Sequence, residues 1–149
     1  MKIRVLVVDD EEQFTQQLAE RLRLREYDVT TAISGEDGLD VLRKLNFDVV
    51  ILDVAMPGID GIETLRQMKT IKPLTEVIML TGHATVESAI QGMKLGAFDY
   101  LLKPTDTEDL VIKVNSAYAR KANQEERIRQ AKVTEIVSSP LSVLNKKYK

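Results

Sequence analysis

The sequence predicts an α/β fold: a doubly wound, five-stranded parallel sheet with helices on both faces. Three observations carry this. Short apolar runs recur five times, at intervals of roughly 20–28 residues. A stripe of helical periodicity fills each gap between them. The first, third and fourth runs are almost unbroken in valine, isoleucine and leucine, which suits strands covered on both faces. Connections that each contain a helix force parallel pairing with right-handed crossovers, and so three layers.

Taken in order, Ile3–Val8 is the first strand, followed by a helix with the stripe Phe14, Leu18 and Leu22. The second strand, within Val29–Ile33, is shorter and more polar, which predicts a sheet edge. Ser34 and Asp37 then have the spacing of a capping box ahead of a helix striped by Leu39, Leu42 and Leu45. Val49–Leu52 is the third strand. Met56 to Gly61 reads as a loop, because a proline and two glycines interrupt any regular element. Ile62, Leu65 and Met68 stripe the third helix, and Val77–Leu80 is the fourth strand. Ala89, Ile90 and Met93 stripe the fourth helix, and Tyr100–Leu102 is the fifth strand. Thr105 and Glu108 have the spacing of a second capping box, before a helix striped by Leu110, Val111 and Val114. The repeating units end near Ala119, so residues 1–119 are expected to be the domain. Residues 120–149 are expected to be a helical extension to about Val137, then a disordered basic tail after Ser138-Ser139-Pro140.

Composition narrows the chemistry. The 149 residues are 44% apolar and 30% charged, with no cysteine and one histidine. Disulfide scaffolds, thiolate metal sites, thiol nucleophiles and multi-histidine metal clusters are thereby excluded. No apolar run approaches the roughly 20 residues of a membrane span, and the N-terminus leads directly into a strand. A cytoplasmic protein without membrane association is expected. Residues 1–118 hold 13 basic and 20 acidic side chains, whereas residues 119–149 hold 8 and 3. An acidic body argues against direct nucleic-acid binding, and the basic tail reads most simply as a solvated helix face.

Polar side chains gather where the strands end. Asp9 and Asp10 follow the first strand, Asp53 ends the third, Thr81 follows the fourth, and Lys103-Pro104 follow the fifth. The carboxyl ends of parallel strands share one rim, so these residues converge where such folds bind ligands. The charged residues each have a bland alternative. Asp9 or Asp10 could cap a helix, Asp53 could form a turn, and Lys103 could be merely solvated.

The segments Val-Val-Asp-Asp-Glu-Glu at 7–12, Ile-Leu-Asp-Val-Ala-Met-Pro-Gly-Ile-Asp-Gly at 51–61, Thr-Gly-His-Ala at 81–84 and Tyr-Leu-Leu-Lys-Pro at 100–104 resemble the response-regulator receivers, the CheY-like superfamily. The stretches 81–90 and 96–100 are similar to receivers of the NtrC type. The resemblance covers residues 1–120 and implies a flavodoxin-like sheet of order 2-1-3-4-5. It also implies two-component signalling, in which Asp53 accepts a phosphoryl group from a histidine kinase. Mg2+ would be held by Asp10, Asp53 and the backbone carbonyl of Ala55, with Asp9 acting through water. Lys103 would neutralise the phosphoryl oxygens. Thr81 and Tyr100 would form the switch that remodels the face of the fourth helix, fifth strand and fifth helix for a partner or a second copy. The bland alternative for Tyr100 is an ordinary strand aromatic. A cis bond is expected between Lys103 and Pro104.

Two positions depart from the common pattern and bear on phosphate lifetime. Ala55 offers no polar group to steer an attacking water, and His83 is either a modulator near the phosphate or an exposed loop residue. A haloacid-dehalogenase-type phosphohydrolase would want an aspartate where Ala55 stands, and a flavin or nucleotide carrier would want a glycine-rich phosphate loop. The chain is therefore expected to be a phosphoacceptor and not an enzyme acting on other substrates. It is read as a stand-alone receiver, or as one cut from a longer sigma-54-dependent regulator.

Overall fold

The computed structural model describes residues 2–56, 58–83 and 85–138. Ten elements alternate along it: β1 (Arg4–Val8), α1 (Glu12–Leu24), β2 (Asp28–Ala32), α2 (Gly35–Lys44), β3 (Val49–Leu52), α3 (Gly61–Ile71), β4 (Glu76–Thr81), α4 (Val86–Lys94), β5 (Asp99–Leu102) and α5 (Thr107–Ser138). All neighbouring strands are parallel, in the order β2-β1-β3-β4-β5.

The unbroken apolar runs follow from a core on each side of the sheet. Val5 and Val7 point toward α1 and α5, into a cluster with Leu18, Leu22, Leu110 and Val114. Leu6 and Val8 point the other way, against Leu39, Leu42, Leu65 and Met68 of α2 and α3. Successive side chains alternate faces, so a strand covered twice must be apolar throughout. β2 lies at an edge, as its polarity predicts. Register puts Val8 beside Leu52, so the residues that follow, Asp9 and Asp53, leave the sheet side by side.

Some local expectations are corrected. Thr81 is the last residue of β4 and does not follow it. Ile33 lies beyond β2 and is exposed, and Leu45 ends α2 in solvent. The stripe assigned to α4 is not core: Ile90 and Met93 are 49% and 48% exposed, and only Gly92 of that helix is buried. Glycine carries no apolar signal, yet it brings the α4 backbone close to Tyr100 and Met79. The cap of α5 is Asp106, whose Oδ1 accepts from the Glu108 N–H at 2.9 Å, and not Thr105 one residue earlier. Ser34 accepts from the Asp37 N–H as expected of a cap. Asp60, read as loop, caps α3 by accepting from the Glu63 N–H at 2.9 Å.

α5 runs through residue 119 without a break. Arg120 pairs with Glu76, a buried acid at the start of β4, and Lys69 lies 3.6 Å from the same carboxylate. Lys121 pairs with Asp48 at 3.2 Å and with Glu125 at 3.1 Å. The expected disorder beyond Pro140 falls outside the described residues.

Candidate functional site

At the carboxyl rim of the sheet, the backbone fixes the acids before any side chain acts. The Asp9 N–H donates to Ala32 O and the Asp53 N–H to Val8 O at 3.0 Å, so each aspartate is the first residue past a paired strand. Asp9 and Asp53 are buried while Asp10 is exposed. Carboxylate oxygens of all three lie within 4.8 Å of one another. Across the cleft, Lys103 Nζ is 2.5 Å from Asp9 Oδ2, 3.4 Å from Glu11 Oε1 and 3.8 Å from Asp53 Oδ2. Its backbone N–H donates to Thr81 O at 2.8 Å, which ties β5 to the end of β4. The Lys103–Pro104 peptide bond is cis.

Two groups of the site, Asp9 and Lys103, have shifted pKa values. Burial pushes the Asp9 carboxyl up from its ordinary range and the nearby Asp53 charge adds to this; Lys103 and the Glu11 N–H oppose it without prevailing. Burial alone would lower the Lys103 ammonium, but the Asp9 hydrogen bond and the charges of Asp9, Asp53 and Glu11 outweigh it, and its pKa rises. One ammonium is thus held charged among three carboxylates.

The loop beyond Asp53 is also organised. The Ala55 N–H donates to Asp53 Oδ1 at 3.3 Å, and Ala55 itself is exposed. Gly61 opens α3 so close to this loop that a Cβ there would lie 2.2 Å from Asp53 O. Glu36 Oε1 accepts from the Ile59 N–H at 3.0 Å, and that bond holds the Glu36 carboxyl below its ordinary range. Sequence reasoning missed Glu36, because it lies in α2 and its partner Ile59 is 23 residues away in the loop beyond Asp53.

The hydroxyls of Thr81 and Tyr100 are hydrogen-bonded to groups other than the acids. The Thr81 hydroxyl accepts from the His83 N–H at 3.1 Å. The Tyr100 hydroxyl shares a 2.7 Å hydrogen bond with Ser88, the N3 residue of the capping box that starts α4. His83 is exposed.

The chain has counterparts of like sequence and fold among known proteins. A family model described as "Response regulator receiver domain" matches residues 5–115. The chain belongs to the response regulator receiver family. It is 40% identical over 118 residues to the transcriptional regulatory protein ZraR of Salmonella typhimurium, covering 79% of this chain and 27% of that protein. The receiver thus spans little more than a quarter of that relative's length. A receiver domain from Clostridium thermocellum superposes with a TM-score of 0.78 at 40% identity, over 82% of this chain and 98% of that one. The beryllofluoride-activated NtrC4 receiver domain dimer superposes with a TM-score of 0.75 at 36% identity, over 79% and 98%. Among the described residues, no helix of the receiver is long and apolar enough to cross a membrane.

Proposed function

We propose that the receiver takes a phosphoryl group from a sensor histidine kinase onto Asp53. The observation that carries this reading is one charged lysine set among carboxylates from β1 and β3, with Lys103 Nζ 3.8 Å from Asp53 Oδ2. An Asp53 oxygen forms the new bond to phosphorus as the phosphorus–nitrogen bond of the donor phosphohistidine breaks, and the imidazole leaves with that electron pair. Lys103 is placed to offset negative charge on the transferred group. Thr81, at the adjoining strand end, supplies a hydroxyl that can turn from accepting the His83 N–H to donating to a phosphoryl oxygen.

The acid cluster fits a hard divalent cation. Its donors are all oxygen, they converge within 4.8 Å, and Asp9 stays under-compensated by Lys103 alone. Asp10, Asp53 and the Ala55 carbonyl would hold Mg2+, with Asp9 reached through water. When bound, Mg2+ neutralises oxygen charge on the group being transferred.

The output face is the one formed by α4, β5 and α5. Val86, Ile90, Met93, Leu102 and Ile112 are exposed there, an apolar set suited to a second copy or a downstream protein. Release of Tyr100 from Ser88 would alter it from within, as a shift between two packings. The proposed setting is the cytoplasm, where a kinase could reach the exposed rim. His83 and Ala55 flank the site and are proposed to set phosphate lifetime.

Incubation with Mg2+ and acetyl phosphate, read by intact mass, tests the assignment. A single phosphoryl adduct that disappears in Asp53→Asn is expected. An adduct that survives in that variant, or none in the unaltered chain, overturns it.

A further inference from the structure

We infer that Phe14 is a positioning residue for the Lys103 ammonium, acting through the face of its ring; this rests on the proposed role of Lys103 in phosphoryl transfer. Lys103 Nζ lies over the Phe14 ring, 4.0 Å from its centroid. The three phenylalanines of the chain, Phe14, Phe47 and Phe98, each have a cation near the ring. Only the Phe14 cation belongs to the candidate site, and it is the nearest of the three to its ring.

The site needs such a surface. Asp9 at 2.5 Å, Glu11 at 3.4 Å and Asp53 at 3.8 Å compete for one ammonium, and the strongest bond goes to Asp9, not to the phosphoacceptor. Once Asp9 is engaged elsewhere, a lysine held by hydrogen bonds alone would swing into water. A ring face attracts the charge without fixing its direction, so the ammonium can slide toward Asp53 while remaining sheltered. Phe14 is anchored for this. It sits in the first turn of α1, packed against the core cluster that contains Leu18 and Leu22. The Lys103 side chain is only 13% exposed, so the ammonium on that ring is largely sheltered from water.

The test grades the ring's negative face without changing its shape. Phe14 is replaced by phenylalanines carrying one, two or three ring fluorines, and the rate of Asp53 phosphorylation by acetyl phosphate with Mg2+ is measured. The rate is expected to fall stepwise with fluorination, by roughly three- to thirtyfold across the series. Phe14→Tyr should retain most of the rate and Phe14→Leu should not. In a Lys103→Met background the series should be flat. A readout without metal or donor accompanies it: the Lys103 ε-methylene protons should show an upfield ring-current shift that Phe14→Leu abolishes. A flat fluorine series in the unaltered background, with Asp53 still phosphorylated, overturns the role of Phe14 alone. Loss of any Asp53 adduct in the parent chain overturns the underlying assignment instead.

Discussion

Replacing Glu76 by glutamine is expected to cost the receiver about 2–3 kcal/mol of stability, although the residue is remote from the carboxyl rim. Its side chain is 2% exposed and faces two cations, Arg120 and Lys69. Removing one partner of a fully buried ion pair costs about 3–5 kcal/mol, because the remaining charge is stranded. Here the figure falls, since Arg120 is 46% exposed and can recover water. Lys69 is more enclosed and keeps its hydrogen bonds to Pro73 O and Thr75 O, but no acid remains beside it. Burial already pushes the Lys69 amine below its ordinary 10.5, and Glu76 opposes that shift. Without Glu76 the folded protein binds the Lys69 proton still less tightly than the unfolded chain does. Stability of the variant should therefore rise with pH as Lys69 deprotonates, and the penalty should be smaller at pH 10 than at pH 7. Urea unfolding at both values, with the Glu76→Gln/Arg120→Met cycle, measures the total and its coupling. A penalty below about 0.5 kcal/mol at pH 7, the scale of a surface pair, would refute the reasoning.

Other expectations concern the loop and the anchor. Alanine at Gly61 gains up to about 1 kcal/mol of helix propensity, but its Cβ would lie 2.2 Å from Asp53 O and 2.5 Å from Val54 Cα. A net loss of about 1–3 kcal/mol with weakened beryllofluoride binding is expected in thermal melts and titrations; Gly82→Ala, where a Cβ meets nothing within 4 Å, should be silent. Burial disfavours the Lys121 ammonium, but bonds to Glu125 and Asp48 prevail and raise its pKa above the ordinary 10.5. Its pairing should stabilise the fold fully below pH 10.5 and fade as pH rises through the folded value. Unfolding of the parent and of Lys121→Met should accordingly differ by up to about 1 kcal/mol at neutral pH and converge at alkaline pH.

The sheet was legible because double coverage demands strands such as Val5 to Val8, in which no residue can be polar. Parallel strands put their ends on one rim, so Asp9, Asp53, Thr81 and Lys103 could be grouped from spacing alone. What stayed hidden depends on contacts between distant segments. Phe14 reads as one member of an apolar stripe, and only the folded chain puts a cation on its ring. Glu76 only precedes the apolar run of the fourth strand in the sequence, and its burial depends on Arg120, brought to it by α5. Gly92 gave no hint that it, and not Ile90 or Met93, is the buried face of α4. Ser88 and Glu36 look like ordinary helix residues until Tyr100 and Ile59 are brought to them.

α5 starts three residues past Pro104 and is clasped at Arg120 by Glu76, the first residue of β4. From that clasp to Ser138 it extends a further ~27 Å at 1.5 Å per residue. Geometry then makes the helix a pointer: a tilt of about 10° about Arg120 would sweep its far end through roughly 5 Å. A repacking too small to notice at Lys103 would therefore be magnified before it reached anything touching position 138.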